Sequence, residues 1–474
     1  MQPHLFEHRA RAFRVPAAVP AEHSAHTKIS AVVRLPLITP DSPLRTVAWR
    51  GLRAVSQQQF LRDVRALASR LPEATHALNL CDDRYRFMVA FAAVCFRGQT
   101  NLLPPCLSTG VIRDIAGAYP GCYALGDAAS TELPLPWIAV HDEDANPGSA
   151  TQAVPTLLED HVVALVFTSG STGAPQAHAK TWRTLVQTAQ LAAQRFLGDS
   201  RARPNLVATV PPQHMYGLET TVMMALAGGC AIHAGPTFFP IDVCEALQQV
   251  PAPRVLITTP LHLRACLAAP LPFPPLHLII SATAPLEPEL AAAAEAALKV
   301  GVHEIYGCTE AGSMASRRTV NTSIWQFYPD MHLTRLGGVD YVHGQHLTAP
   351  VALPDVVDDL GQGRFRLCGR SSDLLKVAGK RASLNDLTIR LLRIPGVRDA
   401  VVFVPEPLPG REARPAALVV APDLSESQIL ALLEPMVDPV FLPRPLIRLP
   451  RLPRNNVGKL PLAALLAELE RRRA

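Results

Sequence analysis

Six small or hydroxyl-bearing residues, at positions 168–173, directly follow the apolar run HVVALVF. The glycines of this stretch let a ligand approach the backbone, and its N–H groups and hydroxyls are donors that suit a phosphate. A P-loop nucleoside triphosphatase is disfavoured, because Pro175 and Gln176 stand where a Gly-Lys pair is needed. A plain Ser/Gly turn between strand and helix is an equal alternative at this point. The residues are Thr168, Ser169, Gly170, Ser171, Thr172 and Gly173.

A second group of reactive side chains follows the apolar segment VHEI at residues 302–305. Tyr306 can stack on a base, Thr309 can donate to a phosphate oxygen, and Glu310 can bind Mg²⁺. Gly307 lies between them and allows a turn. The alternative is that Tyr-Gly merely ends a strand and that Glu310 begins a solvated helix.

Both groups follow segments that have the pattern of buried strands. From about residue 160 the apolar runs NLVATV, RVLITT and LHLIIS alternate with the helical patterns GLETTVMMALA, LHLRACLA and EPELAAAAEAALK. This alternation predicts a mostly parallel sheet covered by helices, whose sites lie at the carboxyl ends of the strands. An earlier unit, HALNLCDD with RYRFMVAFAAVCFRG, repeats the pattern, with Asp82 or Asp83 as the helix N-cap and Gly98 at the helix end.

A smaller unit is predicted after residue 373. Beyond it lie a helical pattern, LNDLTIRLLR, two apolar runs, AVVFV and AALVV, and a second helix, SESQILALLEPM. Residues 374–474 contain 16 Lys and Arg against 10 Asp and Glu, whereas residues 1–373 have a net charge of −1. We therefore expect an α/β protein with a large domain at 1–373 and a small, basic α+β domain at 374–474.

The composition limits the class of protein. The nine cysteines are scattered without a C-x-x-C pair, which favours neither a disulfide framework nor a zinc site. The longest apolar run, residues 87–96, is too short to span a bilayer, and the N-terminus has charges without an apolar core. The net charge of +5 is modest, with no alternation of basic and aromatic residues that would indicate nucleic-acid binding. We expect a cytoplasmic protein.

Five segments in order resemble the motifs of the adenylate-forming superfamily, which comprises acyl-CoA synthetases, adenylation domains and luciferases. The stretch at 168–173 and YGCTE at 306–310 resemble its phosphate loop and its Tyr-Gly-x-Thr-Glu motif. The other three segments are PPQHMYG (211–217), GRSSDLLKVAGKRASLNDL (369–387) and LPRNNVGKL (452–460). The resemblance covers roughly residues 30–474. In its short form, with LNLCDDRYRFMVAFAAVCFRGQTNLLPP (78–105), the chain looks most like the stand-alone acyl or aryl-acid ligases of aryl-polyene pigment pathways.

The resemblance implies a reaction in two halves, with ATP and Mg²⁺ as cofactors. A carboxylate attacks the α-phosphorus of ATP to give an acyl-adenylate and pyrophosphate, and a thiol then displaces AMP to leave a thioester. Lys459 is expected as the catalytic cation that bridges the carboxylate and the α-phosphate. Thr309 is expected at the α-phosphate, Glu310 at the Mg²⁺ ion with Thr172 as a second metal contact, and the 168–173 loop around the β- and γ-phosphates.

The resemblance also implies an adenosine site. The ribose-binding aspartate of the family follows a Thr-Gly pair, which is Leu353-Pro354 here, so Asp355 is the expected residue and Asp358 its alternative. Lys180 is a possible substitute for the cation absent at position 176. The expected adenosine contacts are Ala284, Glu304, Tyr306, Gly307, Asp355 and Arg370.

Asp373 matches the hinge about which the small domain of the family rotates, and Lys376 and Gly379 match the loop that then meets the thiol. The expected acyl pocket contains His214, Tyr216 and Ser281, which suit an aryl acid slightly better than a long chain.

Because 15 residues follow Lys459, the thiol is expected in trans, from coenzyme A or an acyl carrier protein. The alternative is a non-catalytic nucleotide- or acyl-binding relative. Gln176 and the altered segment before Asp355 favour that alternative, whereas retention of Lys459, Glu310 and Asp373 opposes it.

Overall fold

The protein is described from a computed structural model of the chain. The described residues are 32–128, 133, 135–141, 153–169, 175–198, 203–370, 374–377, 380–405, 414–455 and 460–471. For 169, 369, 370, 374–377, 380–383, 385 and 386 the description is confined to the backbone.

Strands and helices alternate along most of the described chain. The strands are β1 Arg34–Pro36, β2 Thr46–Arg50, β3 Arg53–Ser56, β4 His76–Asn79, β5 Thr100–Leu103, β6 Tyr123–Gly126, β7 Trp137–Ala139, β8 Thr156–Leu158, β9 Val162–Ser169, β10 Pro175–Thr181, β11 Asn205–Ala208, β12 Ala231–His233, β13 Arg254–Thr258, β14 Leu278–Ser281, β15 Val302–Cys308, β16 Gly312–Arg318, β17 Trp325–Phe327, β18 His332–Leu336, β19 Val339–His343, β20 Val351–Ala352, β21 Asp355–Gly361, β22 Arg364–Arg370, β23 Leu374–Val377, β24 Lys380–Ser383, β25 Asp399–Phe403, β26 Ala416–Val420 and β27 Leu446–Arg448. The α-helices are α1 Gln57–Ala68, α2 Arg84–Phe96, α3 Thr109–Ala118, α4 Trp182–Leu197, α5 Met215–Gly217, α6 Met224–Leu226, α7 Pro240–Gln249, α8 Pro260–Ala268, α9 Pro288–Leu298, α10 Leu384–Leu392, α11 Glu426–Leu433 and α12 Leu462–Arg471. A π-helical segment, Leu218–Met223, joins α5 to α6, and short 3₁₀ helices occupy Glu434–Met436 and Pro439–Phe441.

Two large sheets precede residue 371. The first has the strand order β10-β9-β5-β4-β6-β7 and is parallel except between β9 and β10. The second has the order β21-β22-β17-β16-β15-β14-β13-β11-β12-β2-β3, and its central run from β15 to β2 is parallel. The prediction of an α/β fold with mostly parallel sheets and flanking helices is confirmed.

An antiparallel flank completes the second sheet and was not predicted. Strands β16, β17, β22 and β21 pair antiparallel, and β18, β19 and β20 form a small antiparallel sheet of their own. These strands are short or rich in exposed polar residues, as in HLTRL of β18. They therefore lack the continuous apolar run that marks the buried parallel strands.

Helix α2 links the two large sheets. Of the two predicted N-caps, Asp83 is correct, because its side chain accepts a hydrogen bond from the backbone N–H of Arg86 at 2.9 Å. The buried guanidinium of Arg84 donates to the carbonyl oxygens of Ala208 (2.9 Å) and Val210 (2.7 Å), just beyond β11. Gly98 ends the helix with φ of +70°. The first turn of α2 is thus fixed at the carboxyl edge of the second sheet.

The C-terminal part packs around apolar clusters of its own. One cluster runs from Leu384 to Leu446 and another from Phe403 to Leu469, and their described members all lie beyond residue 383. Helices α10 and α11 and strands β25 to β27 supply many of these side chains. This separation agrees with the expected α+β unit, and the boundary between residues 373 and 374 stays a prediction.

None of the described helices combines the length and the apolar character needed to cross a bilayer. All nine cysteines are free thiols, and six of them are buried.

Candidate active site

The two predicted phosphate motifs meet where β9 and β15 end. A hydrogen bond of 3.1 Å joins Thr168 Oγ1, near the end of β9, to His178 Nε2 on β10. The same ring nitrogen lies 3.8 Å from Glu310 Oε1, in the turn after β15. Burial lowers the pKa of His178, and the carboxylate of Glu310 opposes that shift. The start of the phosphate loop and the predicted metal ligand are therefore brought to one place.

Thr309 and Glu310 lie in a tight turn between the antiparallel strands β15 and β16. Cys308 pairs with Gly312 across the hairpin, and Gly312 has φ of +79°. A Cβ on Gly307 would lie 2.5 Å from the carbonyl oxygen of Gly312, so this close approach requires glycine. Glu310 is exposed, and the alternative that it begins a solvated helix is wrong.

The surroundings of Lys180 differ from those expected of a substitute for the cation absent at position 176. It lies in strand β10, before α4 begins, and only 2% of it is exposed. Its Nζ donates to the backbone carbonyl of Glu310 at 2.7 Å. This contact with the 309–311 turn does not support the expectation that the ammonium serves the phosphate loop, most of which lies outside the described residues.

Tyr306 and Asp355, two of the predicted adenosine contacts, are hydrogen-bonded. The Tyr306 hydroxyl donates to Asp355 Oδ2 at 2.7 Å. The backbone of Asp355 pairs with that of Arg370 across β21 and β22, which brings a third predicted position to the same place. Asp358, the alternative carboxylate, lies 3.7 Å from Arg366 in an exposed ion pair. The geometry therefore favours Asp355 over Asp358 as the ribose ligand.

Aromatic side chains fix the ring of Tyr306. The rings of Trp325 and Phe365 each lie 5.6 Å from it, centroid to centroid, at inclined angles. The guanidinium of Arg317 lies over Trp325 at 4.5 Å. Tyr306 is thus held both at its ring and at its hydroxyl, next to Gly307, which is exposed.

The remaining predicted adenosine contacts differ in their surroundings. Ala284 is exposed in the loop after β14, at the carboxyl edge of the sheet. Glu304 is buried, and its oxygens accept from the N–H of Leu286 (2.8 Å), from Arg317 Nε (2.8 Å) and from Thr319 Oγ1 (3.1 Å). These partners satisfy the carboxylate within the protein, so they do not support its predicted contact with adenosine.

The predicted acyl-pocket residues lie around the ends of β11 and β14. His214 Nδ1 accepts from the N–H of Tyr216 at 3.3 Å and so caps α5. The hydroxyl of Tyr216 donates to the carbonyl of Ile280 at 2.9 Å, which makes the ring a fixed wall. Ser281 is fully buried, and its Oγ has no hydrogen-bond partner among the described residues. A buried hydroxyl without a partner is a group that a substrate can satisfy.

Several predicted site residues lie outside the described parts of the chain. These are Gly170, Ser171, Thr172, Gly173, Asp373, Gly379 and Lys459. For Ser169, Arg370 and Lys376 the structure describes only backbone positions. Within the described ranges no group of three or more His, Cys, Asp or Glu side chains could hold a metal ion. An exposed single carboxylate, as at Glu310, still suits Mg²⁺, which commonly binds one or two carboxylates together with substrate phosphates.

The contacts that Lys180 and Glu219 make with the β15–β16 hairpin were not predicted from the sequence. The carboxylate of Glu219, in the π-helical segment, accepts from Ser313 N (3.0 Å) and Ser313 Oγ (2.6 Å), just beyond the 309–311 turn. A lysine inside the alternating segment PQAHAKTW was a usable signal, because position 180 shares a strand face with positions 176 and 178.

Comparison with known proteins extends these observations. Residues 108–362 match the sequence model of the family described as "AMP-binding enzyme". The 4-coumarate–CoA ligase of Halorhodospira halophila is 30% identical over 315 residues, which span 63% of this chain and 75% of that protein. The 4-coumarate–CoA ligase-like 3 of Oryza sativa subsp. japonica is 24% identical and aligns with 94% of this chain and 89% of its own.

Solved structures show the same fold. The o-succinylbenzoate CoA synthetase of Bacillus subtilis, in complex with its acyl-adenylate intermediate, gives a TM-score of 0.78 at 18% identity and covers 91% of this chain and 98% of its own. An anthranilate CoA ligase in complex with anthranoyl-AMP gives a TM-score of 0.75 at 18% identity, with coverage of 92% and 98%. The fold and the family that the motifs indicated are both confirmed: the chain belongs to the AMP-binding enzyme family.

Proposed function

We propose that the protein is an AMP-forming acid–thiol ligase. A carboxylate oxygen of the acid bonds to the α-phosphorus of ATP as pyrophosphate leaves, and a thiolate sulfur then bonds to the acyl carbon as AMP leaves. The observation that carries this proposal is the convergence of Thr168, His178 and Glu310 where β9 and β15 end. That arrangement brings together residues that are predicted to bind phosphate and metal, in a chain of this family, and so supports the proposal.

The first half-reaction brings two anions together, so the protein must neutralise charge. Glu310 would hold a Mg²⁺ ion, which would supply part of the neutralising positive charge. The loop at 168–173 holds the β- and γ-phosphates, Thr309 donates to an oxygen of the α-phosphate, and Lys459 bridges that phosphate and the attacking carboxylate. Asp355 binds the ribose hydroxyls next to Tyr306.

An aryl acid is the substrate class that this pocket favours. The wall formed by Tyr216 is rigid, and Met223, Met224 and Ala225 in the helical segment behind it are buried. Ser281 offers one unpartnered hydroxyl for a polar substituent. Relatives and structural neighbours named for 4-coumarate, o-succinylbenzoate and anthranilate add support. The narrower resemblance to ligases of aryl-polyene pigment pathways stays a prediction.

The thiol acceptor is proposed to bind near the basic C-terminal part, as coenzyme A or as an acyl carrier protein in trans. Residues 374–474 have a net charge of +6, which attracts the phosphates of the former and the acidic surface of the latter. Rates of thioester formation with each acceptor, measured over a range of ionic strength, separate the two.

ATP–pyrophosphate exchange over a panel of benzoates, cinnamates and fatty acids tests the proposal. We expect Mg²⁺-dependent exchange with one class of aromatic acid. Exchange with fatty acids alone would contradict the aryl assignment and leave the ligase. No exchange with any acid, together with retained ATP binding, would favour the non-catalytic binding protein.

A further inference from the structure

A buried cation lies directly beneath the turn that contains Thr309 and Glu310. Lys180 is on the face of β10 that also has His178, and its Nζ donates to the Glu310 carbonyl at 2.7 Å. This bond restrains the peptide group that follows Glu310, and therefore the direction in which the Glu310 side chain leaves the backbone. His178 restrains the same residue from its carboxylate side, at 3.8 Å.

Burying an ammonium group is costly unless an opposite charge and hydrogen bonds compensate. The opposite charge is Glu219, which is 3% exposed. Burial lowers the pKa of Lys180 and raises that of Glu219, and the attraction between the two groups opposes both shifts. Glu219 itself accepts both the N–H and the hydroxyl of Ser313. The lysine thus holds the turn at residue 310, and the glutamate holds it at residue 313.

Gly312, between these two attachment points, shows how closely the glutamate approaches the turn. Its φ of +79° is a conformation that favours glycine, and a Cβ there would overlap Glu219 Oε1. Ser313 follows Gly312 in β16, and its backbone pairs with that of Gly307 in β15. The hairpin tip therefore rests in part on a pair of buried charged side chains, with the Met215 methyl group also close to Gly312.

We propose that Lys180 is a positioning residue for adenylation, which holds the 309–311 turn so that Thr309 and Glu310 face the nucleotide and its metal ion. This inference rests on the proposed function. It also gives Lys180 a role distinct from that expected of a lysine at position 176, because Lys180 acts through the backbone of Glu310.

The test compares Lys180→Met, which keeps the length of the side chain and removes its donor, with Lys299→Met at an exposed position. We expect Lys180→Met to raise the Mg²⁺ concentration for half-maximal exchange by roughly 10- to 100-fold, as is typical when a partner of a metal ligand is lost. Lys299→Met should match the wild type. A purely structural role would lower the urea midpoint of Lys180→Met and leave the Mg²⁺ dependence of the folded protein unchanged, which would overturn the proposal.

A double variant keeps the proposal testable if Lys180→Met folds poorly. Lys180→Met with Glu219→Gln removes both buried charges, and removal of both is far better tolerated than removal of one. We expect the double variant to regain stability but not the Mg²⁺ dependence of the wild type. Recovery of wild-type exchange by the double variant would overturn the proposal.

Calorimetric binding of Mg·ATP in the absence of any acid separates this proposal from the proposed function. Wild-type protein that binds Mg·ATP but catalyses no exchange contradicts the ligase function alone. Wild-type affinity for Mg·ATP in Lys180→Met contradicts the positioning role alone. No binding of Mg·ATP by the wild type contradicts both.

Discussion

At the scale of single residues, the hydrogen bond from Tyr306 to Asp355 distinguishes two carboxylates of the same strand. Asp355 lies at the start of β21 beside the predicted adenosine site, whereas Asp358 is three residues further along and pairs with Arg366. The motif alone left both open, because the residues before Asp355 depart from the family pattern. A register of paired strands was needed to choose between them.

We therefore predict that Asp355→Ala raises the KM for ATP by about 10- to 100-fold, the equivalent of one or two hydrogen bonds to a charged group. Asp358→Ala is the matched control and should leave the KM close to that of the wild type. Exchange assays at saturating acid measure both values. Equal effects of the two substitutions would contradict the assignment.

Lys459 is the predicted cation for the chemical step. By comparison with the loss of one preorganised donor to a transition state, Lys459→Ala should slow adenylation by roughly 10²- to 10³-fold. Thioester formation from added acyl-adenylate should be affected much less, because the α-phosphorus is no longer attacked in that step. Release of pyrophosphate at the wild-type rate would exclude Lys459 from this role.

Sequence alone can propose site residues where a motif stands in one short stretch. Thr309 and Glu310 could be proposed as a pair because they stand in one short segment, 306–310, together with Tyr306 and Gly307. The contacts of Lys180 and Glu219 with the turn could not be predicted. The two residues lie 39 positions apart in the sequence, and the turn lies further along the chain. Their contact depends on how β10 and the π-helical segment pack, which no local pattern indicates.

At the scale of elements, the β15–β16 hairpin holds much of the candidate site. Its parallel partner β14 was predictable from a continuous apolar run, and the strand VHEIYG from its place in the alternation of strands and helices. The return strand β16, GSMASRR, was not predictable, because four of its seven residues are polar and its burial comes from the antiparallel flank. A glycine pair, Gly307 and Gly312, allows the hairpin to close.

We predict that Gly312→Ala destabilises the protein more than Gly337→Ala does. Both glycines have positive φ, so both substitutions carry a backbone cost of about 1–2 kcal/mol. Only Gly312 faces a neighbouring atom, Glu219 Oε1, and overpacking there should add about 1–3 kcal/mol. Urea denaturation measures both variants, and equal losses of stability would show that the contact with Glu219 is not tight.

At the scale of the whole molecule, the hydrophobic clusters beyond residue 383 share no described member with those before residue 366. A separate hydrophobic core is the property expected of a domain that moves as a rigid body. The family resemblance predicts that the hinge of this C-terminal unit lies at Asp373. The sequence alone can indicate this position, but it does not describe the motion.

Asp373→Pro tests the hinge. Proline fixes φ near −65° and should slow the thioester half-reaction more than adenylation, because only the former requires the second orientation of the small domain. Asp373→Ala removes the same carboxylate and keeps the backbone free, so it should retain both half-reactions. Single-turnover rates measure each half-reaction, and wild-type rates for both in Asp373→Pro would exclude a hinge at this residue.

The proposed ligase reaction requires that the carboxylate of an acid attacks the α-phosphorus of ATP. The most direct measurement uses the acid that supports exchange, labelled with ¹⁸O in its carboxylate, and follows the label after complete conversion with a thiol. We predict one labelled oxygen in each AMP, since the thiol breaks the bond between the acyl carbon and that oxygen. Label in inorganic phosphate with formation of ADP, or AMP without label, would contradict it.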